Sequence, residues 1–283
     1  MNGPPSAAWP RFCKVEGLGN DFVLVDLRAE PDPPARAERL ARDAAALCDR
    51  RRGVGADGLL LVLPAPGGVR MRVVNRDGSV PEMCGNGLRC VALFVAAGAE
   101  PPVPVHVETD AGPRPCTVLT RTGSSGVVRA AMGPVRLGPT VRPAAARGRA
   151  GVVVDVGNPH VVFSCDADED PRTLARTLGP AVERDPAFPA GTNVEFVRID
   201  TIEGDRAAVT CAVWERGCGI TEACGTGACA AAGVVARARG VEAVEVTLPG
   251  GPLAVSFDDG VHAHAEGPAR LVFEGRWHGA PSP

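Results

Sequence analysis

Read for apolar and polar spacing, the chain is mostly strand. Val69-Arg70-Met71-Arg72-Val73 alternates apolar and charged positions, the period-two pattern of a half-exposed strand. Short apolar runs recur at Phe22–Leu27, Gly58–Leu63, Val103–Glu108, Val152–Val156, Val194–Ile199, Ala207–Trp214, Val241–Leu248 and Leu271–Phe273, and each predicts a further strand. Helical spacing is rarer. Pro34 to Arg50 predicts one helix, with proline in its first turn and a stripe of Leu40, Ala44, Leu47 and Cys48. Asp170-Pro171 opens a short helix carrying Leu174 and Leu178, with Gly179 as its expected stop. The Pro-, Gly- and Arg-rich stretch Pro134–Gly151 reads as an exposed connection.

Two more helices differ in kind. Each follows a nearly identical tetrapeptide, Cys84-Gly85-Asn86-Gly87 and Cys224-Gly225-Thr226-Gly227, about half the chain apart. After the first, Leu88, Val91, Ala92 and Val95 share one face, while Leu93 and Phe94 make the remaining surface apolar. After the second, Ala228 to Val235 holds almost nothing polar before Arg237 and Gly240. A helix that is apolar all round is a buried one. Two of them among many short strands predict an α/β (α+β) fold of two similar pseudo-symmetric domains. Each is expected to be a mostly antiparallel or mixed sheet wrapped around a central helix, with an active site in the cleft between them. The expected boundaries are 1–127 plus 269–283 for the first domain, completed by the returning C-terminus, and 128–268 for the second.

A length of 283 residues and 45% hydrophobic content suit two cores, and a net charge of −3 gives no reason to expect nucleic acid or a membrane surface as partner. Met1 to Pro10 carries no basic stretch followed by an apolar one, and the longest apolar run, Cys90 to Ala99, is too short to span a bilayer, so a soluble cytosolic protein is expected. Ten cysteines in such a chain are expected to be largely reduced and buried. Cys90, Cys218 and Cys229 are read as packing residues. The C-x5-C and C-x4-C spacings fit structural zinc motifs poorly.

The two CGxG cysteines stand apart from the rest. A sulfur at a helix start meets unpaired backbone N–H groups and the positive end of the helix dipole, which favour the thiolate. Flanking glycines let backbone N–H groups approach a carboxylate. No P-loop and no G-x-G-x-x-G between strand and helix is present, so chemistry here runs on side chains and no cofactor is expected. Two thiols facing each other suit inversion at a carbon next to a carboxylate: one removes the α-proton and the other protonates the opposite face.

The set GLGNDF (Gly17–Phe22), NRDGS (Asn75–Ser79) leading to MCGNG, GNPH (Gly157–His160), TNVEF (Thr192–Phe196) and WERG (Trp214–Gly217) leading to ACGTGAC resembles the diaminopimelate epimerases in order and spacing along nearly the whole chain. The resemblance implies a cofactor-independent isomerase that interconverts LL- and meso-2,6-diaminopimelate, a small-molecule substrate on the way to lysine and peptidoglycan. It implies Cys84 and Cys224 as the acid/base pair. It also implies substrate contacts from Asn20, Asn75, Asn158, Asn193, Glu215 and Arg216, a backbone cradle from Gly85, Asn86, Gly225 and Thr226, and His160 in support. Three positions depart from the family pattern: Gly58 where some members carry a glutamine contact, Arg76 in place of a small residue, and Ile220 in the middle of the usual G-E-T.

The competing reading is a related two-cysteine racemase of the proline, hydroxyproline or histidine type. Proline-type relatives would carry histidine at position 86, which is asparagine here, and would not need both Glu215 and Arg216. A non-catalytic amino-acid-binding protein is the alternative outside the enzymes. A homodimer is compatible with the sequence, which sets no oligomeric state.

Overall fold

The computed structural model describes residues 9–278, so the reading of the first ten residues falls almost wholly outside the described part. Contacts divide the chain into two compact units, Met1–Val128 with Ala269–Pro283, and Arg129–Pro268.

The first unit opens with β1 (Arg11–Gly17) and β2 (Asn20–Asp26), then α1 (Pro33–Arg42) and α2 (Ala44–Cys48). It continues through β3 (Gly58–Ala65), β4 (Gly68–Asn75), α3 (Gly85–Val95), β5 (Val103–Thr109), β6 (Gly112–Thr122) and β7 (Ser125–Pro134), which runs on into the second unit. Strand order follows chain order from β1 to β7. The second unit contains β8 (Arg136–Val141), β9 (Gly151–Asp155), β10 (Pro159–Ser164), α4 (Pro171–Glu183), β11 (Asn193–Glu203) and β12 (Arg206–Glu215). After these come β13 (Gly219–Ile220), α5 (Gly225–Arg239), β14 (Ala243–Leu248), β15 (Gly251–Phe257) and β16 (His262–Arg276). The end of β16 pairs antiparallel with β1, and β16 also neighbours β7, so the strands of the first unit close into a ring.

The two units repeat one topology. β2 pairs parallel with β3 and β10 with β11, and antiparallel hairpins β3–β4 and β11–β12 follow. Next come parallel β4–β5 and β12–β14, then antiparallel β5–β6 and β14–β15. In each unit the buried helix sits between the hairpin and the strand parallel to it, α3 in the first and α5 in the second. α3 buries every residue from Gly85 to Leu93, which is the environment its all-round apolar surface demands.

Alternation along the strands sorts side chains between two faces. In β3, Leu59, Leu61 and Leu63 pack with Val23, Val25, Leu40 and Leu47 beneath α1 and α2, while Leu60 reaches the start of α3. In β11, Val194 and Phe196 pack with Ala175, Leu178 and Val182 of α4, which leaves Glu195 for the opposite face. Phe163 stacks on Phe196 with ring centroids 5.3 Å apart.

Three sequence expectations change. The single helix from Pro34 to Arg50 is two helices broken at Asp43, whose carboxylate accepts from the Trp9 indole at 3.1 Å. The stretch Pro134–Gly151 contains the exposed strand β8 and a 3₁₀ turn at Ala144–Ala146; pairing of β8 with β9 slips between Leu137 and Thr140, across Gly138-Pro139, which hid the strand from periodicity. The helix opened by Asp170 does not stop at Gly179 but continues to Glu183. Asp170 caps it, accepting from Arg172 and Thr173 N–H groups, as expected. Gly179 has another purpose: a Cβ there would lie 2.5 Å from Cβ of Trp214, so its absence lets α4 lie directly on β12.

That contact gives a direct test. Gly179→Ala is expected to destabilise the protein by about 1–3 kcal/mol through overpacking, despite alanine's higher helix propensity, and to lower the melting temperature by several degrees. An unchanged or raised melting temperature in a thermal scan would contradict the close approach.

Candidate active site

In the first unit the site is built on the start of α3. Cys84 is its N-cap, with φ −137° and ψ 113°, and its sulfur accepts from the Gly87 N–H at 3.5 Å. Gly87 fits because Leu60 lies beneath it: a Cβ would come within 2.8 Å of a Leu60 methyl. Asn20, at the tip of the β1–β2 hairpin, turns its Oδ1 toward this helix start, where it accepts from Asn86 Nδ2 at 3.2 Å and from the Cys84 thiol at 3.9 Å.

The direction of these amides is determined by their neighbours. Arg89 is wholly buried on α3 and can only donate, so Asn86 offers it Oδ1 at 2.7 Å and keeps its NH2 for Asn20. Asn20 in turn offers oxygen on that side and gives its own NH2 to Asp57 at 2.8 Å. Asp57 is held by Arg50 at 2.7 Å, and Arg50 also grips Asp21, which pairs with the nearly buried Lys14 at 2.6 Å. Lys14 also donates to the carbonyl of Gly55. Sequence reading missed Asp57, Arg89 and this network, because charges so far apart in the chain announce nothing by spacing. Asn75 stands apart from the network, its NH2 bound to Ser79 Oγ at 2.9 Å within its own turn.

The second unit repeats the helix start with different surroundings. Cys224 caps α5 with φ −117° and ψ 111°, and its sulfur accepts from the Gly227 N–H at 3.3 Å and touches Thr226 Oγ1 at 3.5 Å. His160 is fully buried on β10, with Nδ1 2.7 Å from Glu195 Oε1 and Nε2 2.8 Å from Asn158 Oδ1. Burial lifts the Glu195 carboxyl above the usual carboxylate range, against the opposing pull of His160. Glu215, at the end of β12, accepts from Thr221 Oγ1 at 2.5 Å and bonds the Cys224 side chain; burial raises its carboxyl as well. Burial first, and Glu215 second, push the Cys224 thiol well above its ordinary range.

The turn after Glu215 is braced from α4. Glu183 accepts from the Trp214 indole at 2.7 Å and from the Gly217 N–H at 2.9 Å, a support that exists only because the helix runs past Gly179. Asn193 accepts from the Arg216 N–H at 3.0 Å and donates to the Pro159 carbonyl at 2.9 Å, tying the turn to the Asn158–His160 segment. Arg216 itself is exposed, and Nη1 reaches the Ala190 carbonyl at 3.2 Å. Gly191, at φ +70°, clears its path, since a Cβ there would meet Arg216 Cδ at 3.0 Å.

Glu195 and Glu183 complete this half and were not picked out beforehand. A glutamate in the otherwise apolar Val194–Val197 run was the signal for the first; nothing local marks the second. Among the remaining cysteines, Cys90 and Cys229 are buried, but Cys218 is exposed in the turn between Gly217 and Gly219, which corrects its reading as a packing residue. Burial pushes the thiols of Cys48 to about 11 and Cys116 to about 12. Among the described residues no three of His, Cys, Asp and Glu converge to hold a metal.

The sequence profile described as Diaminopimelate epimerase matches residues 12–138 and 152–272. This chain belongs to the diaminopimelate epimerase family. It is 45% identical over 291 residues to the diaminopimelate epimerase of Desulforudis audaxviator (strain MP104C), covering 94% of this chain and 98% of that one. It is 42% identical over 285 residues to that of Pelotomaculum thermopropionicum (strain DSM 13744 / JCM 10971 / SI), with the same coverage. Solved structures share the fold at low identity. A hydroxyproline epimerase from Agrobacterium vitis superimposes with TM-score 0.66 at 16% identity, over 98% of this chain and 94% of that one. A Bacillus anthracis phenazine biosynthesis protein of the PhzF family gives TM-score 0.67 at 14% identity, over 94% and 98%.

The network behind Asn20 has a pH signature. Burial alone would raise the Asp21 carboxyl, but hydrogen bonds and charge from Arg50 and Lys14 outweigh it and lower it from 3.8 to about 2. A depressed native value gives stability that is present above about pH 4 and is lost as pH falls toward 2. Denaturation across this range should show a loss on the order of 1 kcal/mol, after allowing for solvent screening, that is absent in Asp21→Asn. Identical acid profiles for the two proteins would remove Asp21 from the support of Asn20.

Proposed function

We propose that this chain interconverts LL- and meso-2,6-diaminopimelate by a two-thiol mechanism, in lysine and peptidoglycan precursor synthesis. The observation that carries the reading is the pair of cysteine N-caps on equivalent helices, each in a chain-long match to diaminopimelate epimerases. We assign each unit, with boundaries as expected from the sequence, one catalytic cysteine.

Inversion at an α-carbon needs one group to take a proton from one face and another to deliver a proton to the opposite face. A thiol is suited to both tasks, because either protonation state is reachable near neutrality with modest tuning. Cys84 and Cys224 are assigned these two tasks, and a single proton belongs to the pair. As the α-carbon loses its proton, charge flows into the adjacent carboxylate. N–H groups around Gly85-Asn86 and Gly225-Thr226, at the positive ends of α3 and α5, are assigned to receive it.

The substrate has a second amino-acid end. Arg216 offers a planar fork for the distal carboxylate, and Glu215 a negative partner for the distal ammonium. Asn20, Asn75, Asn158 and Asn193 orient polar groups without adding charge. Asn20 has its amide direction dictated by Asp57 and Asn86, so it presents a defined face to a ligand. His160 supports the Cys224 side of the pair.

The test is proton NMR of LL-diaminopimelate with reduced protein in D2O. The α-proton signal should fade as the meso product appears, and both effects should drop by on the order of 10³-fold or more in Cys84→Ala and in Cys224→Ala. Arg216→Lys, which loses the fork but keeps the charge, should raise KM more than it lowers kcat. Absence of exchange by folded, reduced protein would overturn the substrate, and proline, hydroxyproline and histidine would be tried next.

A further inference from the structure

The repeated topology lets the two halves be compared position by position. Phe22 pairs with Gly58 and Leu24 with Leu60 in the first unit; His160 pairs with Asn193 and Val162 with Glu195 in the second. Phe22 therefore corresponds to His160, and Leu60 to Glu195. An independent contact gives the same alignment. The nearest atom to a Cβ built on Gly87 belongs to Leu60, at 2.8 Å, and the nearest to one built on Gly227 is Glu195 Oε1, at 2.9 Å. Where the first unit supports its catalytic helix with an apolar Phe–Leu pair, the second supports its own with a buried His–Glu pair.

This pair is not a neutral replacement. Glu195 is fully buried; Oε1 contacts His160, backbone N–H groups of Val161 and of Glu195 itself lend the carboxyl weaker support, and Oε2 makes no full hydrogen bond. A carboxylate oxygen in that state is costly, and its persistence calls for a reason beyond packing. The same point above Gly227 lies 2.9 Å from Glu195 Oε1 and 3.3 Å from Cys224 Sγ, so the carboxylate faces the thiol across a glycine that has no side chain to screen it. The alternation continues one turn further along the helix. Five residues after the cysteine, the first unit buries the cation Arg89, and the second has Cys229.

We propose that Glu195 is a positioning residue that, through its charge beneath the start of α5, keeps Cys224 in the protonated thiol form in the resting enzyme. The groups facing Cys224 are Glu215 from β12, Glu195 from β11, with His160 of β10 behind it, and Thr226 of its own helix; Cys211 of β12 also faces Glu195. Both carboxylates oppose the thiolate that the helix start favours, and burial acts in the same direction.

The proposal rests on the assignment of Cys224 as a catalytic thiol but not on the identity of the substrate. It is tested by the pH dependence of iodoacetamide alkylation at Cys84 and Cys224, each followed by its own peptide in mass spectrometry. In the unaltered protein Cys224 should react with a midpoint well above that of an ordinary thiol. In Glu195→Gln the Cys224 midpoint should fall by about one pH unit or more, with that of Cys84 unmoved. If Glu195→Gln does not fold, the double variant Glu195→Leu with His160→Phe copies the pair already carried by the first unit and should produce the same fall. A Cys224 midpoint that stays or rises in a folded variant overturns the proposal, as does an ordinary Cys224 midpoint in the unaltered protein. Either result leaves the D2O exchange experiment standing, so failure here and failure of the epimerase reading are separable.

Discussion

A cysteine sulfur that accepts a free N–H from the first turn of a buried helix is the interaction from which the rest of each unit follows. The N-terminus of an α-helix carries unsatisfied donors, and burying them in an apolar layer is unfavourable unless something accepts. At Cys84 and Cys224 the acceptor is the side chain assigned to the chemistry. The helix that presents it must be sheathed on all sides, which requires a curved layer of short strands rather than a flat one. Glycine at the third helical residue lets the strand beneath come close, and the strand's inward side chain then decides what the sulfur feels.

The supporting structure in each unit is organised around delivering polar groups to that helix start. In the first, an alternating series of donors and acceptors runs from Arg50 through Asp57, Asn20 and Asn86 to Arg89, and no amide in it can turn over without placing two donors or two acceptors face to face. In the second, α4 reaches across to brace the Glu215–Gly217 turn through Glu183, with Trp214 seated in the space that Gly179 leaves. Rigidity of this kind suits the proton transfer between carbon and sulfur that is proposed for these helix starts, since small misplacements change such a barrier.

Much of this was legible before any coordinates. The CGxG repeats announced two helix starts because cysteine, glycine and a following apolar run have few other readings together, and both cysteines are N-caps. Apolar runs located many of the strands, since a strand buried on both faces needs only hydrophobicity to be recognised, as in β3, but β1, β6, β7, β10 and β15 were not among those predicted. What escaped was structure held by partners distant in the chain. β8 is exposed at nearly every position and exists because β9 pairs with it. Gly179 looked like a stop because the usual reason for glycine near a helix end is local, whereas its reason here is Trp214. Glu195 was hidden by its own setting: in a strand of alternating faces a single glutamate reads as the solvent side, and only the presence of α5 makes that side an interior.

The strict alternation of side chains in β3 and β11 limits how two such halves can drift apart. Inserting or deleting one residue before Leu60 or Glu195 would turn that position to the opposite face, removing it from beneath α3 or α5 and sending a neighbour such as Leu59 or Val194 there instead. Divergence between the copies is thereby channelled into replacement of one side chain by another at a constant chain length through these strands. Length changes are relegated to the hairpin tips and connections, such as the path through α1 and α2 between β2 and β3, which is longer than the path through α4 between β10 and β11. The duplicated scaffold thus behaves as a ruler with fixed gradations, on which the chemistry of one half can be rewritten letter by letter while the other is left as it was.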